Sequence, residues 1–192
     1  SSDLADLSPA DTGQYFHAAM DNLVKVITQA DLNFNEVNQT QIKQVTKRVL
    51  ENMRQDSQFD QFNSTYRMGY LRKQLDRTVE TMVTAIFKQL AQTRMRPIAS
   101  EQMFGQIGLK EGLPALNFKV NGKQEVNVRG KIDRIDKINI EGQPYLGVVD
   151  YKSSTRKFDF ADAYYGLAMQ MLLYLDVVQQ NRQRIDPHEQ EI

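Results

Sequence analysis

Two short stretches carry residue types that could hold a hard cation and a reacting water. Gly130-Lys131-Ile132-Asp133-Arg134-Ile135-Asp136 reads as a strand bearing acids, and Val148-Val149-Asp150-Tyr151-Lys152 bears an acid and a lysine two residues apart. Strand side chains alternate, so Val126, Val128 and Ile132 share one face and Asp133 takes the other, while Asp150 and Lys152 emerge together. A turn at Gly142-Gln143-Pro144 makes the two stretches hairpin partners, and Asp133 and Asp150 can then converge. Phosphodiester hydrolysis needs such a group. A divalent cation must neutralise charge developing on the phosphate, magnesium takes one or two protein carboxylates and keeps several waters, and a lysine can orient or activate the attacking water. Taken singly the same features have plainer readings: Asp-x-Lys as a solvated strand end, and Asp-Arg-Ile-Asp as cross-strand salt bridging.

The elements that must position these residues follow from the hydrophobic periodicity. Ser8-Pro9-Ala10-Asp11 starts a helix, and Phe16, Met20, Leu23, Val24 and Ile27 carry it to about Gln29. A second helix is predicted from Gln39 to Met53, then a polar loop from Gln55 to Ser64, then a long third helix with Met68, Leu71, Leu75, Val79, Met82, Val83, Ile86 and Leu90 in one stripe. The pattern changes near Arg96-Pro97. Strands are predicted at Gln102 to Gly108, Leu116 to Val120, Glu125 to Ile138 and Tyr145 to Tyr151, and a last helix at Asp162 to Gln180. The expected architecture is α/β of the α+β kind: a helical part over residues 1–95, then a mixed sheet of four or five strands with a following helix over 96–180, all within one domain over 1–192.

Composition narrows the function classes. The chain has 192 residues, 24 Lys+Arg against 24 Asp+Glu and a formal net charge of zero, so any contact with DNA must be local or assisted. Its cysteine count of zero removes disulfides, thiolate chemistry and iron–sulfur ligation. No apolar run suits a membrane span and no phosphate-binding Gly-x-x-x-x-Gly-Lys-Ser/Thr loop occurs, so a cytoplasmic chain that relies on ATP hydrolysis elsewhere is expected. The Ser1-Ser2 start and the polar 181–192 end suggest a piece of a longer polypeptide.

Taken together, Gly130-x-Ile-Asp133-Arg-Ile-Asp136, Val149-Asp150-Tyr151-Lys152-Ser153-Ser154 and Gln170-x-x-x-Tyr174 resemble the RecB-family nucleases of the PD-(D/E)xK superfamily, whose core is restriction-endonuclease-like. The run Tyr164-Tyr165-Gly166-Leu167-Ala168-Met169-Gln170 makes the likeness strongest to the C-terminal nuclease domain of the B subunit of bacterial ATP-dependent helicase–nucleases, the AddB or RexB type. The motifs occupy four short stretches between Ser8 and Tyr174; helices two and three match only in general character.

The resemblance implies that Asp133 and Asp150 bind magnesium, or manganese in its place. It implies that the backbone carbonyl of Tyr151 adds a ligand, that Lys152 positions or activates water, and that Gln170 and Tyr174 form the family's fourth motif. It also marks His17, in Gly13-Gln14-Tyr15-Phe16-His17, as a metal ligand on the first helix, one turn after Gly13. Members that carry a four-cysteine iron–sulfur cluster differ from this chain, which can hold none. The function so implied is a metal-dependent exo- or endonuclease module acting in double-strand break repair and recombination. It would receive single-stranded DNA and work with the A subunit of a helicase–nuclease, away from membranes. The second reading is a nuclease-like module that binds DNA ends or a partner without cutting. Two further groups stand outside the motifs: Glu101, more readily a salt-bridge partner than a ligand, and the basic cluster Arg67, Arg72, Lys73 and Arg77, a solvated face or a phosphate track.

Overall fold

Each long helix begins where a side chain can satisfy the otherwise orphaned first-turn N–H groups. α1 (Pro9–Gln29) is capped by Ser8, whose hydroxyl accepts from the Asp11 N–H at 3.1 Å while Asp11 accepts back from the Ser8 N–H at 3.1 Å. α2 (Gln39–Gln55) repeats the arrangement with Asn38 and Gln41. α3 (Tyr66–Gln92) is capped by Thr65. The computed structural model describes residues 7–30, 32–106, 112–120, 124–151 and 160–187, which fall into two compact units: residues 7–94 with Tyr151, and residues 95–150 with 160–187.

The first unit is helical. α1, α2 and α3 bury Met20, Leu23, Val49, Met53, Val79, Val83, Phe87 and Leu90 in one core, each such side chain contributing about 1.5–3 kcal/mol of transfer free energy. The predicted loop at 55–64 is instead mostly a 3-10 helix (Ser57–Asn63). Its period of three sets Phe59 and Phe62 on one side, where both rings meet Tyr15 edge-on at 5.0 and 5.4 Å. The polar residues around them hid these two anchors. A buried polar network sits beside the aromatics. The Tyr15 hydroxyl donates to Asp76 at 2.6 Å, Arg54 donates to the other Asp76 oxygen at 3.3 Å, and Arg72 donates to Asn63 at 3.2 Å. Burial, reinforced by the Asp76 carboxylate, pushes the Tyr15 hydroxyl well above the usual phenol range. Arg72 therefore leaves the basic cluster read from the sequence; it is a buried structural group, whereas Lys73 and Arg77 are exposed.

The second unit is built on β4 (Gly130–Ile140), the middle strand of an antiparallel sheet of order β1-β4-β5, with β1 (Arg96–Phe104) and β5 (Gln143–Val149) at the edges. β2 (Leu116–Val120) and β3 (Gln124–Val128) form a separate hairpin. The run read as one strand from Glu125 to Ile138 is thus two strands, divided at Arg129, with different partners. β1 begins six residues earlier than expected. Pro97 and Pro144, which cannot donate to a ladder, both lie on edge strands, and a bulge follows Pro97. α4 (Phe160–Gln180) and the short α5 (Arg182–Ile185) complete the unit. Phe104, Leu116, Ile132, Ile135, Val177 and Val178 form its core. No helix among the described residues is long and apolar enough to cross a membrane.

Removing Asp76 leaves a buried hydroxyl without its acceptor, so Asp76→Ala should lower stability by about 2 kcal/mol. Tyr15→Phe should cost less, and the double variant less than the sum of the two. Denaturant midpoints of the three variants measure this; strictly additive costs would mean that the bond does not couple them.

Candidate functional site

The turn between β4 and β5 decides which residues face each other. Glu141 and Gly142 both have positive φ, 52° and 80°, the backbone of a two-residue turn whose twist matches a hairpin. Glycine tolerates that conformation without strain, and Glu141 alone bears its cost. The register that follows pairs Ile140 with Gln143 and Arg134 with Val149. The ladder ends with that pair, and Asp150 is the first residue past the end of β5. Directly opposed residues share a face with Cβ atoms about 4.5–5.5 Å apart.

The other side of β4 places a further acid beside Asp133. Ser100 pairs with Arg134 and Gln102 with Ile132, so Glu101 lies opposite Asp133, and their carboxylate oxygens come within 4.8 Å. Glu101 has φ 49°, a left-handed backbone in mid-strand that costs a non-glycine residue roughly 1–3 kcal/mol and is common where a site holds strain. It also forms an ion pair with Lys131, as its sequence context suggested. Glu101 and Asp133, with Asp150 just past the end of β5, are hard oxygen donors of the kind that suits magnesium or manganese. Carboxylates side by side also repel one another unless a cation or proton intervenes.

Asp133 is 5% exposed, although alternation alone would have put it on an open face. Ile132 through Asp136 are five consecutive buried residues, so both faces of β4 are covered. On the face opposite Asp133, Arg134 and Asp136 make an ion pair, Nε to Oδ1 at 2.8 Å and a second nitrogen to Oδ2 at 2.9 Å, both side chains under 5% exposed. Burial pushes the Asp136 carboxyl above its ordinary range, and the Arg134 guanidinium offsets part of that shift. The second acid of Asp133-Arg134-Ile135-Asp136 is therefore a same-strand partner of the arginine, where the sequence suggested cross-strand pairing.

Gly130 and the fourth motif meet on this unit. A Cβ at Gly130 would lie 2.8 Å from the Phe104 ring and 3.7 Å from the Tyr174 ring. Tyr174 packs edge-on to Phe104 at 5.9 Å, and Gln170, one turn earlier on α4, donates to the Tyr174 hydroxyl at 2.8 Å. The pair is thus at the edge of the core with its polar ends bonded to each other. His17 lies on α1 in the helical unit, half-buried, its ring edge-on to Tyr151 at 6.2 Å. Lys152 lies outside the described residues. The structure therefore brings Asp133 and Glu101 together across β4 and β1, leaves Asp150 one residue past the end of β5, and joins Gln170 with Tyr174 in another place.

The chain belongs to the PD-(D/E)XK nuclease superfamily, whose family model matches residues 3–191. Its curated relatives include the B subunit of the ATP-dependent helicase/deoxyribonuclease of Pediococcus pentosaceus, 75% identical over 183 residues, 95% of this chain and 15% of that protein. The protein of the same name from Latilactobacillus sakei is 47% identical over 182 residues, 95% of this chain and 15% of its own length. That from Moorella thermoacetica is 33% identical over 172 residues, 90% of this chain and again 15% of its own. This chain thus spans 15% of the length of these relatives.

Filling the space above Gly130 forces the Phe104 ring to move, so Gly130→Ala should cost about 1–3 kcal/mol and loosen Tyr174. Thermal unfolding together with the Tyr174 ring signals in NMR tests this; unchanged stability would show that the ring gives way freely.

Proposed function

We propose that this chain is the nuclease module in the B subunit of a helicase–nuclease, where it serves as a magnesium-dependent deoxyribonuclease that cuts single-stranded DNA during double-strand break repair and recombination in the cytoplasm. The A subunit of that assembly would be its partner, as the relatives' names, each given to one component of a larger enzyme, suggest. The two compact units are read as one working nuclease domain. The observation that carries the proposal is the register of β4, with Asp133 beside Glu101 and with Asp150 directly following the end of its partner strand β5.

In this reading Asp133 and Asp150 hold the cation, with the Tyr151 carbonyl and His17 as further ligands, and manganese can replace magnesium. When bound, the cation supplies charge neutralisation at the scissile phosphate. Lys152, two residues beyond Asp150, orients the attacking water and takes up part of the developing negative charge. Gln170 and Tyr174 fix the face of α4 along which the substrate strand lies, their mutual hydrogen bond holding both side chains in one rotamer. Glu101 joins Asp133 as a carboxylate that Lys131 holds while no cation is bound. The attacking water gives up a proton to solvent as its oxygen bonds to phosphorus, the P–O bond to the leaving nucleotide breaks, and the leaving oxygen takes a proton back from solvent.

End-labelled single-stranded DNA, incubated with magnesium, with EDTA and with the Asp150→Ala variant, provides the test. Cutting should require the cation and fall by roughly two to four powers of ten in the variant, the usual effect of removing one catalytic group. DNA-end binding by a folded protein without cutting under any metal would instead support the non-cleaving module.

A further inference from the structure

We propose that the N-terminal half of α3 is a docking track for single-stranded DNA, on which Tyr66 and Tyr70 stack bases while Lys73 and Arg77 hold phosphates. This rests on the nuclease reading for its ligand, but on residues outside the proposed cation site. Tyr66, Tyr70, Lys73 and Arg77 are spaced i, i+4, i+7 and i+11, so they form one narrow stripe about 16 Å long. Tyr66 is 102% exposed and Tyr70 62%, the former more than any other large apolar side chain among the described residues. An aromatic ring left so open usually has a surface to cover.

The surroundings point to a nucleic acid. Beside the two tyrosines lies a cleft of about 480 Å³ lined by Asn63, Thr65, Gly69 and Lys73 among others. Gly69 is unfavourable in a helix, yet packing does not require it, since an added Cβ would find no atom nearer than the Phe62 carbonyl at 4.0 Å. A bare helix surface between two tyrosines lets a flat ring approach the backbone. Among the described residues Lys73 and Arg77 make no side-chain ion pair, so their charge is available to phosphate. With a net charge of zero, only such a local patch can provide the electrostatic attraction. The stripe combines aromatic faces with cations and contains no aliphatic side chain, which suits sequence-tolerant stacking on a single strand better than the apolar centre of a protein interface.

Fluorescence anisotropy with labelled oligothymidylate, in EDTA so that no cutting occurs, tests the track. Each tyrosine-to-alanine change should weaken binding roughly 5- to 150-fold, while Tyr66→Phe and Tyr70→Phe should retain it. Lys73→Ala with Arg77→Ala should reduce the slope of log affinity against log salt by about 1.4, about 0.7 per cation. Because the chain has 8 tyrosines and no tryptophan, stacking should also quench tyrosine fluorescence in the wild type and less so in Tyr66→Ala/Tyr70→Ala. Hydrolysis of bis(p-nitrophenyl) phosphate with magnesium separates this proposal from the nuclease reading. Wild-type binding without hydrolysis would sink the nuclease reading alone, whereas hydrolysis with unaltered DNA affinity and salt slope in folded variants would overturn the track. Absence of DNA binding at low salt would overturn it as well, as would variants that keep DNA affinity and lose only a protein partner.

Discussion

The antiparallel register of β4 with both its neighbours is the constraint on which the second unit turns. Side chains on a strand alternate with a period of two, so a slip of one residue on either side would send every partner to the wrong face. Two local features hold the register. The Glu141-Gly142 turn closes the β4–β5 hairpin with positive φ at both positions, and the bulge after Pro97 absorbs the one irregularity in the β1–β4 ladder before the acids are reached. With the register held, Glu101 and Asp133 fall side by side across β1 and β4, and Asp150 follows directly on the end of β5.

The two faces of β4 handle charge differently. On one, Arg134 and Asp136 form an ion pair within the strand, with one guanidinium nitrogen donating to Asp136 Oδ2. Such a buried pair adds little net stability compared with apolar residues, but removing one partner is expensive, so it penalises a slipped register. On the other, Asp133 lies beside Glu101, which pairs with Lys131. Adjacent carboxylates on one face of a strand are a donor set that a cation can use. The helical unit has an analogous polar anchor, Tyr15 on Asp76, but there the acid is matched by Arg54.

Much of this arrangement was readable in the amino-acid order, because the signals were local. Ser8-Pro9, the 3.6-residue stripes and Gly142 mark the helix starts and the hairpin turn, and the pairing of β4 with β5 follows from that short turn plus alternation. What escaped notice depends on tertiary context. Phe59 and Phe62 lie in a polar stretch and become anchors only because Tyr15 faces them. Arg72 looks like its neighbour Lys73 in sequence, yet the helix turns it inward toward Asn63. The division at Arg129 has no glycine or proline at the break itself and appears only in the choice of strand partners. Nothing in Ser100-Glu101-Gln102 signals a left-handed residue in the middle of a strand.

A domain of this family with no net charge has to gain its DNA contacts locally, and the carboxylates themselves repel phosphate until a cation is present. Cation binding is therefore the step on which the proposed cleavage rests. Electron paramagnetic resonance of manganese added to the metal-free protein, with magnesium as competitor, measures it directly. The account predicts a bound manganese that magnesium displaces, with affinity reduced about tenfold or more in both Asp133→Asn and Asp150→Asn. Equal manganese binding by the wild type and both variants would contradict it.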